Sequence, residues 1–461
     1  MRIMPEMTNK RELFGTDGVR GEANRFPIVP EVALKLGMAA GVFFHNRKGK
    51  PRIIIGKDTR LSGYMIESAL MSGICSMGTD VYLVGPMPTP AIAFITRSMR
   101  ADAGIIISAS HNPFQDNGIK FFGRDGMKLP DADEAEIEHL MDREDLPRPT
   151  HSDVGRAFRL DDAEGRYIVF AKSSIPRDMT LDGLKIVVDC AHGATYKVAP
   201  AIFSELGADV ITIGDDPDGM NINLGCGSTN PEFMARKVVE TGADLGLALD
   251  GDGDRVILAD SGGEILDGDD VLFICASRMD EEKNLSGRTM VGTVMTNMGL
   301  ESSMKSRGIR VIRAPVGDRY VLEEMISTGA IVGGEPSGHI IFLDHTTTGD
   351  GIITALQVLR VMVRTGRTLS ELKGGWVRYP QVMRNLKVQS KPPLEEQSWY
   401  RRIILDARDA MGDDHLLSLR YSGTEPLLRV TVSCASGPLA KEVSQRICDE
   451  LTSRLGCGDI G

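Results

Sequence analysis

Three carboxylates alternate with glycine in Asp250-Gly251-Asp252-Gly253-Asp254-Arg255, between the apolar runs LGLAL at 245–249 and VILA at 256–259. Glycine lets such a turn fold back sharply, and carboxylates at i, i+2 and i+4 on it can converge on one hard cation. An EF-hand loop is one rival, but it needs glycine at its sixth position and glutamate at its twelfth, where this chain has Arg255 and Ser261. A solvated acidic turn is the other alternative. Ligation by oxygen alone favours magnesium over zinc. Arg255 beside the carboxylates points to a further anion at the same place.

The second pattern is Ser108-Ala109-Ser110-His111-Asn112-Pro113, directly after the apolar GIII of 104–107. A serine displayed at a strand end is a candidate nucleophile, with a polar turn closing the strand as the alternative. It lacks the G-x-S-x-G elbow, and the neighbouring His111 does not make a hydrolase dyad, because such partners meet in space and not in sequence. The following Asn117-Gly118 reads as a tight turn into another strand. The third pattern, Arg420-Tyr421-Ser422-Gly423-Thr424-Glu425-Pro426 with Arg429 close behind, puts backbone N–H groups and two guanidiniums where a phosphate could be cradled. Gly334-Glu335-Pro336-Ser337-Gly338-His339 and Gly15-Thr16-Asp17-Gly18-Val19-Arg20-Gly21 are weaker signals on their own, and a single histidine such as His339 is more often structural. Gly56-Lys57-Asp58-Thr59-Arg60 lacks the upstream glycine of a P-loop, and no G-x-G-x-x-G opens a helix after a strand. A metal turn, a displayed serine and a separate phosphate cradle suit phosphoryl transfer on a small anionic substrate.

The elements that must carry these residues follow an α/β rhythm. Strand-like runs at 52–55, 81–84 and 104–107 flank a helical 62–77; a second pass has strands at 185–189, 210–213 and 245–250 with helices ending at Gly207 and spanning 231–241; a third runs from Val271 to about Arg364. Each places polar residues just after a buried strand, where open α/β sheets bind ligands. The stretch 143–165 and the DSGGE of 260–264 read as boundaries. Beyond Gly374-Gly375 the pattern changes to VMRNLKV, a helix-like 394–411, HLLSLRY, LLRVTVSC and a terminal helix near 438–455, an α+β module. The expected fold is thus three similar α/β units with mixed sheets and a smaller α+β C-terminal domain, divided at 1–159, 160–262, 263–372 and 373–461. The 461 residues fit three or four domains of ~100 to 200 residues each.

With 53 Lys and Arg against 64 Asp and Glu, the net charge of -11 argues against nucleic acid or an anionic membrane as partner, so an anionic ligand needs a local cationic pocket. Seven cysteines without a Cys-x-x-Cys pair fit reduced thiols in the cytoplasm better than a disulfide framework or a zinc ribbon. The first 14 residues lack the apolar core of roughly 7 to 15 residues that marks a secretory signal, and no run approaches the ~18 apolar residues that would cross a bilayer.

In order and spacing, FGTDGVRG, SASHNP, DGDGDR, GEPSGH and RYSGTEPLLRV resemble the alpha-D-phosphohexomutase superfamily. The doubled serine of SASHNP, NINLGCGST at 221–229 and VGDRYV at 316–321 resemble its bacterial phosphoglucosamine mutase branch, which commonly has glutamine where this chain has Pro336. The resemblance implies four domains around a central cleft, a phosphoserine at Ser110, and one Mg2+ per chain held by Asp250, Asp252 and Asp254 with a phosphoryl oxygen on Ser110. It implies that Glu335, Ser337 and His339 bind the sugar, and that Arg420, Ser422, Gly423, Thr424 and Arg429 bind the substrate's phosphate. Arg20, Lys120 and Arg255 would offset negative charge, Lys120 would exchange protons, and His111 would assist beside the serine. The implied reaction interconverts glucosamine 6-phosphate and glucosamine 1-phosphate through glucosamine 1,6-bisphosphate, the intermediate and activator, and supplies UDP-N-acetylglucosamine for the cell wall. A homodimer is implied as well. Preference for glucose or mannose phosphates, or a catalytically silent sugar-phosphate-binding protein on the same fold, are the alternatives.

Overall fold

Continuous β-branched runs take the centre of the first sheet. Arg52–Lys57 and Ala103–Ile107 pair in parallel, and Ile53, Ile54, Ile55, Ile105, Ile106 and Ile107 are all fully buried, as strands covered on both faces require. In this structure, a computed structural model, residues 13–15, 17–45, 49–412, 414–422, 426–455 and 458–459 are described. They form two compact units, one of Met1–Val294 with Ile312–Lys373 and one of Met295–Val311 with Gly374–Gly461.

The first unit holds three mixed sheets. Six strands lie in the order Val19–Glu22, Asp116–Gly123, Ala103–Ile107, Arg52–Lys57, Asp80–Pro86 and Ala157–Arg159. Five follow as Ile265–Leu266, Val256–Asp260, Leu245–Leu249, Lys185–Asp189 and Asp209–Ile213. The third sheet runs Arg310–Ala314, Thr289–Thr293, Val332–Gly334 and Ile340–Phe342. In each of the first two, parallel central strands are joined through helices and an antiparallel hairpin closes one side, so the polar loops after Lys57, Ile107, Asp189 and Leu249 emerge at strand ends. The second unit is smaller: the antiparallel strands His415–Tyr421, Leu427–Cys434, Gln381–Lys387 and Gly458–Asp459 pack on the helix Gly437–Leu455 around Leu386, Val430, Val432, Ile447 and Leu451. The helix Met298–Ser306 also belongs to it, fastened where Asn297 accepts the Tyr379 N–H and donates to the Tyr379 carbonyl. Among the described residues no helix is long and apolar enough to cross a membrane, and all six described cysteines are free thiols.

Two local expectations are corrected. Asn117 and Gly118 are not a tight turn but lie inside the strand Asp116–Gly123, paired with Gly21 and Arg20. Burial overrides their turn preference: Asn117 donates to Ser62 Oγ at 2.8 Å, and a Cβ on Gly118 would lie 2.7 Å from the Ser108 carbonyl oxygen. The helix expected from 394 starts at Tyr400, because Leu394 is buried but the chain leaves it through two successive turns, Gln397 N–H to Leu394 O and Tyr400 N–H to Gln397 O.

The helices Pro30–Phe43 and Gly63–Ser76 cover one face of the first sheet and touch backbone to backbone. A Cβ on Gly73 would sit 2.3 Å from the Leu34 carbonyl oxygen, and one on Gly37 would sit 2.4 Å from that of Leu70. Gly73→Ala should therefore force the helices apart and cost about 1–3 kcal/mol, read as a lower midpoint in urea. An unchanged midpoint would show that the helices can part without penalty.

Candidate active site

The serine loop is built from the inside. Ser108 Oγ donates to Asp58 Oδ2 at 2.6 Å and accepts the Ser110 N–H at 2.9 Å. Fully buried Arg60 spends all five of its N–H groups: Nε on Asp58 Oδ2, Nη1 on the Pro113 and Asp116 carbonyls, and Nη2 on those of Ser110 and Asn112. Burial pushes the Asp58 carboxyl up, and Arg60 and Ser108 reverse that only in part. The loop so held puts Ser110 at φ +51°, unusual for a residue with a side chain. Its Oγ donates to Asp250 Oδ2 at 2.6 Å. The serine is therefore not displayed on the surface; it is 2% exposed and lines a cavity with Arg20, Asp254 and Arg255.

Asp250, Asp252 and Asp254 bring ligand oxygens within 4.8 Å of one another, with Gly253 at φ +72° making the turn. All three are buried. Burial, together with the charges of Asp254 and Asp252, drives the Asp250 carboxyl well above its usual range. The same burial acts on Asp254, but His339, Lys120 and Arg255 outweigh it and hold that carboxyl low. Asp252 Oδ2 accepts from Thr89 Oγ1 at 2.7 Å and Lys120 Nζ at 3.3 Å. Among the described residues Asp252 Oδ1 and Asp254 Oδ1 are buried without a hydrogen-bond partner. Orphaned, all-oxygen donors converging in this way fit a hard metal ion.

Charge alternates around this turn. Lys120 lies between Asp252 and Asp17, and Asp17 also meets Arg20 and Lys128. Burial disfavours the Lys120 ammonium, but Asp17 and Asp252 reverse this and hold it protonated. His111 Nδ1 lies 3.3 Å from Ser110 Oγ; burial and the Arg255 guanidinium push this imidazole down to about 4, so at neutral pH it offers a hydrogen bond and no charge. His339 Nδ1 lies 3.5 Å from Asp254 Oδ2, and its Nε2 accepts the Gly349 N–H. Glu335 Oε1 accepts the Gly317 N–H at 2.9 Å, and Ser337 Oγ donates to Glu335 Oε2 at 3.2 Å. A cavity of about 360 Å³ is lined by Ser110, Arg20, Asp254, Arg255, Glu335 and His339 among others, enough for a phosphorylated monosaccharide.

Eleven of the residues singled out in the sequence thus fall in the first unit: Arg20, Ser110, His111, Lys120, Asp250, Asp252, Asp254, Arg255, Glu335, Ser337 and His339. Arg420, Ser422 and Arg429 lie in the second, where Arg420 and Arg429 are direct cross-strand partners and so project on one face of the sheet. Gly423 and Thr424 lie outside the described residues. Lys391, which no motif marked, donates to the Ser422 carbonyl at 2.6 Å. Sequence reasoning also missed Asp58 and Arg60, read there only as a failed P-loop, and Asp17 as the hub of the cations. The available signal was an acid and an arginine two residues apart at a strand end.

The chain matches "Phosphoglucomutase/phosphomannomutase" domains: alpha/beta/alpha domain I at residues 11–148, domain II at 166–263, domain III at 267–379 and the C-terminal domain at 378–450. It is 54% identical over 450 residues to a phosphoglucosamine mutase of Geobacter sp. (strain M21), covering 95% of this chain and 99% of that protein. To the phosphoglucosamine mutase of Anaeromyxobacter sp. (strain Fw109-5) it is 55% identical over 452 residues, covering 97% and 96%. In fold it resembles the crystal structure of a phosphoglucomutase/phosphomannomutase family protein from Burkholderia thailandensis, with a TM-score of 0.79 at 23% identity over 97% of this chain and 98% of that one. An Aspergillus fumigatus N-acetylphosphoglucosamine mutase solved with GlcNAc-6P and magnesium gives a TM-score of 0.63 at 16% identity over 97% and 96%.

Because Arg60 pairs with a buried carboxylate and donates to four carbonyls, Arg60→Met should cost about 3–5 kcal/mol, as for any buried pair deprived of one partner. Chemical denaturation measures it, and a loss below about 1 kcal/mol, the worth of one ordinary hydrogen bond, would refute the role.

Proposed function

The chain belongs to the phosphoglucomutase/phosphomannomutase family, and on that premise we propose that it works as a phosphoglucosamine mutase, an isomerase interconverting glucosamine 6-phosphate and glucosamine 1-phosphate. The observation that carries the reaction is Ser110 Oγ, 2.6 Å from the first of three converging aspartates at the wall of a polar cavity. The choice of amino sugar rests on relatives of that name, 54–55% identical across nearly the whole chain. The product would feed UDP-N-acetylglucosamine and cell-wall synthesis, in the cytoplasm, with the homodimer as the working form.

In this reading Ser110 carries a phosphoryl group. The bond from Ser110 Oγ to phosphorus breaks as the free C1 hydroxyl of glucosamine 6-phosphate takes the phosphoryl group; Lys120 gives a proton to Ser110 Oγ, and the proton released by the C1 hydroxyl passes through solvent to restore the Lys120 ammonium. The glucosamine 1,6-bisphosphate turns over in the cavity, the bond from its C6 oxygen to phosphorus breaks as Ser110 Oγ takes that phosphoryl group, and the proton leaving the serine hydroxyl is returned to the C6 oxygen, giving glucosamine 1-phosphate. Such transfer depends mainly on positioning and charge. A phosphoserine adds ~1.5 to 2 negative charges beside three carboxylates, and Arg20, Lys120 and Arg255 are placed to offset them. A magnesium ion held by Asp250, Asp252 and Asp254 would add positive charge against the phosphoryl oxygens. Lys120, kept protonated, suits giving a proton to the departing serine oxygen, and His111 suits a hydrogen bond to the phosphoryl group. Glu335, Ser337 and His339 suit the sugar hydroxyls. Arg420, Ser422, Gly423, Thr424 and Arg429 suit the phosphate that is not reacting.

Intact mass should show one phosphoryl group on the wild type and none on Ser110→Ala. In a coupled assay that variant should lose about 10³-fold or more of its turnover. Glucosamine phosphate should turn over faster than glucose or mannose phosphate; the reverse order would favour the other sugars, and an active Ser110→Ala would refute the phosphoserine. Magnesium at ~100 times its dissociation constant should stabilise the protein by about 2.7 kcal/mol, seen as a rise in melting temperature that EDTA reverses and Asp252→Asn abolishes. No rise in the wild type would refute the metal site.

A further inference from the structure

The segment Asn221–Thr229 takes no part in the chemistry above, yet it reaches the serine loop. Asn223 Nδ2 donates to the Ser110 carbonyl at 2.9 Å and to that of Asn112 at 3.1 Å. These two oxygens are also the acceptors of Arg60 Nη2, at 2.9 and 2.8 Å. Each carbonyl has two lone pairs, and each receives one N–H from Arg60 and one from Asn223. Two acceptors facing one amide also settle which end of Asn223 is the nitrogen.

Arg60 comes from the sheet that carries Ser110; Asn223 comes from the sheet that carries Asp250. Asn223 sits at φ +60°, its N–H donating to the Ala191 carbonyl at 2.8 Å. Its loop is fixed where Asp189 accepts the Gly227 and Ala191 N–H groups at 2.7 and 2.9 Å, and where Ser228 N–H donates to the carbonyl of Leu249, the residue before Asp250. The aspartate turn closes on the same point: a Cβ on Gly251 would lie 2.7 Å from the Ser110 oxygen and 2.8 Å from Asn223 Nδ2. The amide thus ties the backbone of Ser110 to the framework of the three carboxylates.

We propose that Asn223 is a positioning residue for phosphoryl transfer, its amide setting where Ser110 stands relative to the aspartate turn. It does so through the Ser110 and Asn112 carbonyls, without touching the sugar phosphate. The inference rests on the phosphoserine reading of Ser110. Misplacing a reacting group by ~1 Å can cost ~10²-fold in rate, whereas ground-state binding of a substrate that Asn223 does not meet stays as it was. The loss therefore belongs to kcat.

The test uses the full-length chain with Asn223→Ala, Asn223→Asp and, in parallel, Ser110→Ala. Turnover of glucosamine 6-phosphate is normalised to the phosphorylated fraction from intact mass, and melting temperatures are recorded. The expected result is a kcat lower by roughly 10 to 100-fold with KM within about twofold, in variants that melt close to the wild type. Asn223→Asp, of equal size but presenting oxygen to two carbonyls, should be slower than Asn223→Ala. Unchanged kcat per phosphorylated molecule, a KM that rises with kcat intact, or loss of fold in both variants would each overturn the positioning role. An active Ser110→Ala would instead bring down the phosphoserine reading, whatever Asn223 does.

Discussion

The repulsion among three buried carboxylates governs the centre of this protein. Asp250, Asp252 and Asp254 place oxygens within 4.8 Å of each other, where like charges cost on the order of a few kcal/mol per pair even with substantial dielectric relaxation. The surroundings answer that cost at each carboxylate. Asp250 accepts the Ser110 hydroxyl, Asp252 accepts Thr89 and Lys120, and Asp254 faces His339 and Arg255. Among the described residues Asp252 Oδ1 and Asp254 Oδ1 still find no hydrogen-bond partner. An arrangement that unfavourable persists when a cation completes it, which is why the geometry reads as a metal site and not as a structural turn.

The loop at residues 334–339 is stitched closely to the same turn through the backbone. Val256 N–H donates to the Gly338 carbonyl, Gly268 N–H to that of Pro336, and Gly351 N–H to that of Gly253. A Cβ on Gly338 would lie 2.2 Å from the Val256 oxygen, and one on Gly268 1.9 Å from that of Glu335. The glycines here serve close approach of one backbone to another. Pro336 keeps its carbonyl in this network. On the other side of the cavity Lys128 pairs with Asp17 and with Asp318, and Arg319 pairs with Asp131, so cations and carboxylates alternate from the first sheet's loops to the third's.

The second unit poses the opposite electrostatic problem. Arg420 and Arg429 stand directly across from each other in an antiparallel pair, where like charges destabilise a sheet. Two guanidiniums so placed would suit a phosphate accepting from both, and Lys391 donates to the Ser422 carbonyl beside them.

Much of this could be read from the chain alone, because the signals are local. Runs such as Ile53–Ile55 and Ile105–Ile107 announce strands buried on both faces, Asp250–Asp254 announces convergent oxygens on a glycine turn, and Ser108–Pro113 announces a polar loop at a strand end. Local preference failed where burial overrode it, as at Asn117-Gly118, and where one buried side chain imitated a period, as at Leu394. What only the tertiary structure decided is which distant groups meet. Arg60 reaches the Ser110 carbonyl across 50 residues, Asn223 across 113 and Lys120 the Asp252 carboxylate across 132. Such pairings leave no periodicity and no spacing in the sequence, because the geometry that brings them together belongs to the packing of the first two sheets and not to any one segment.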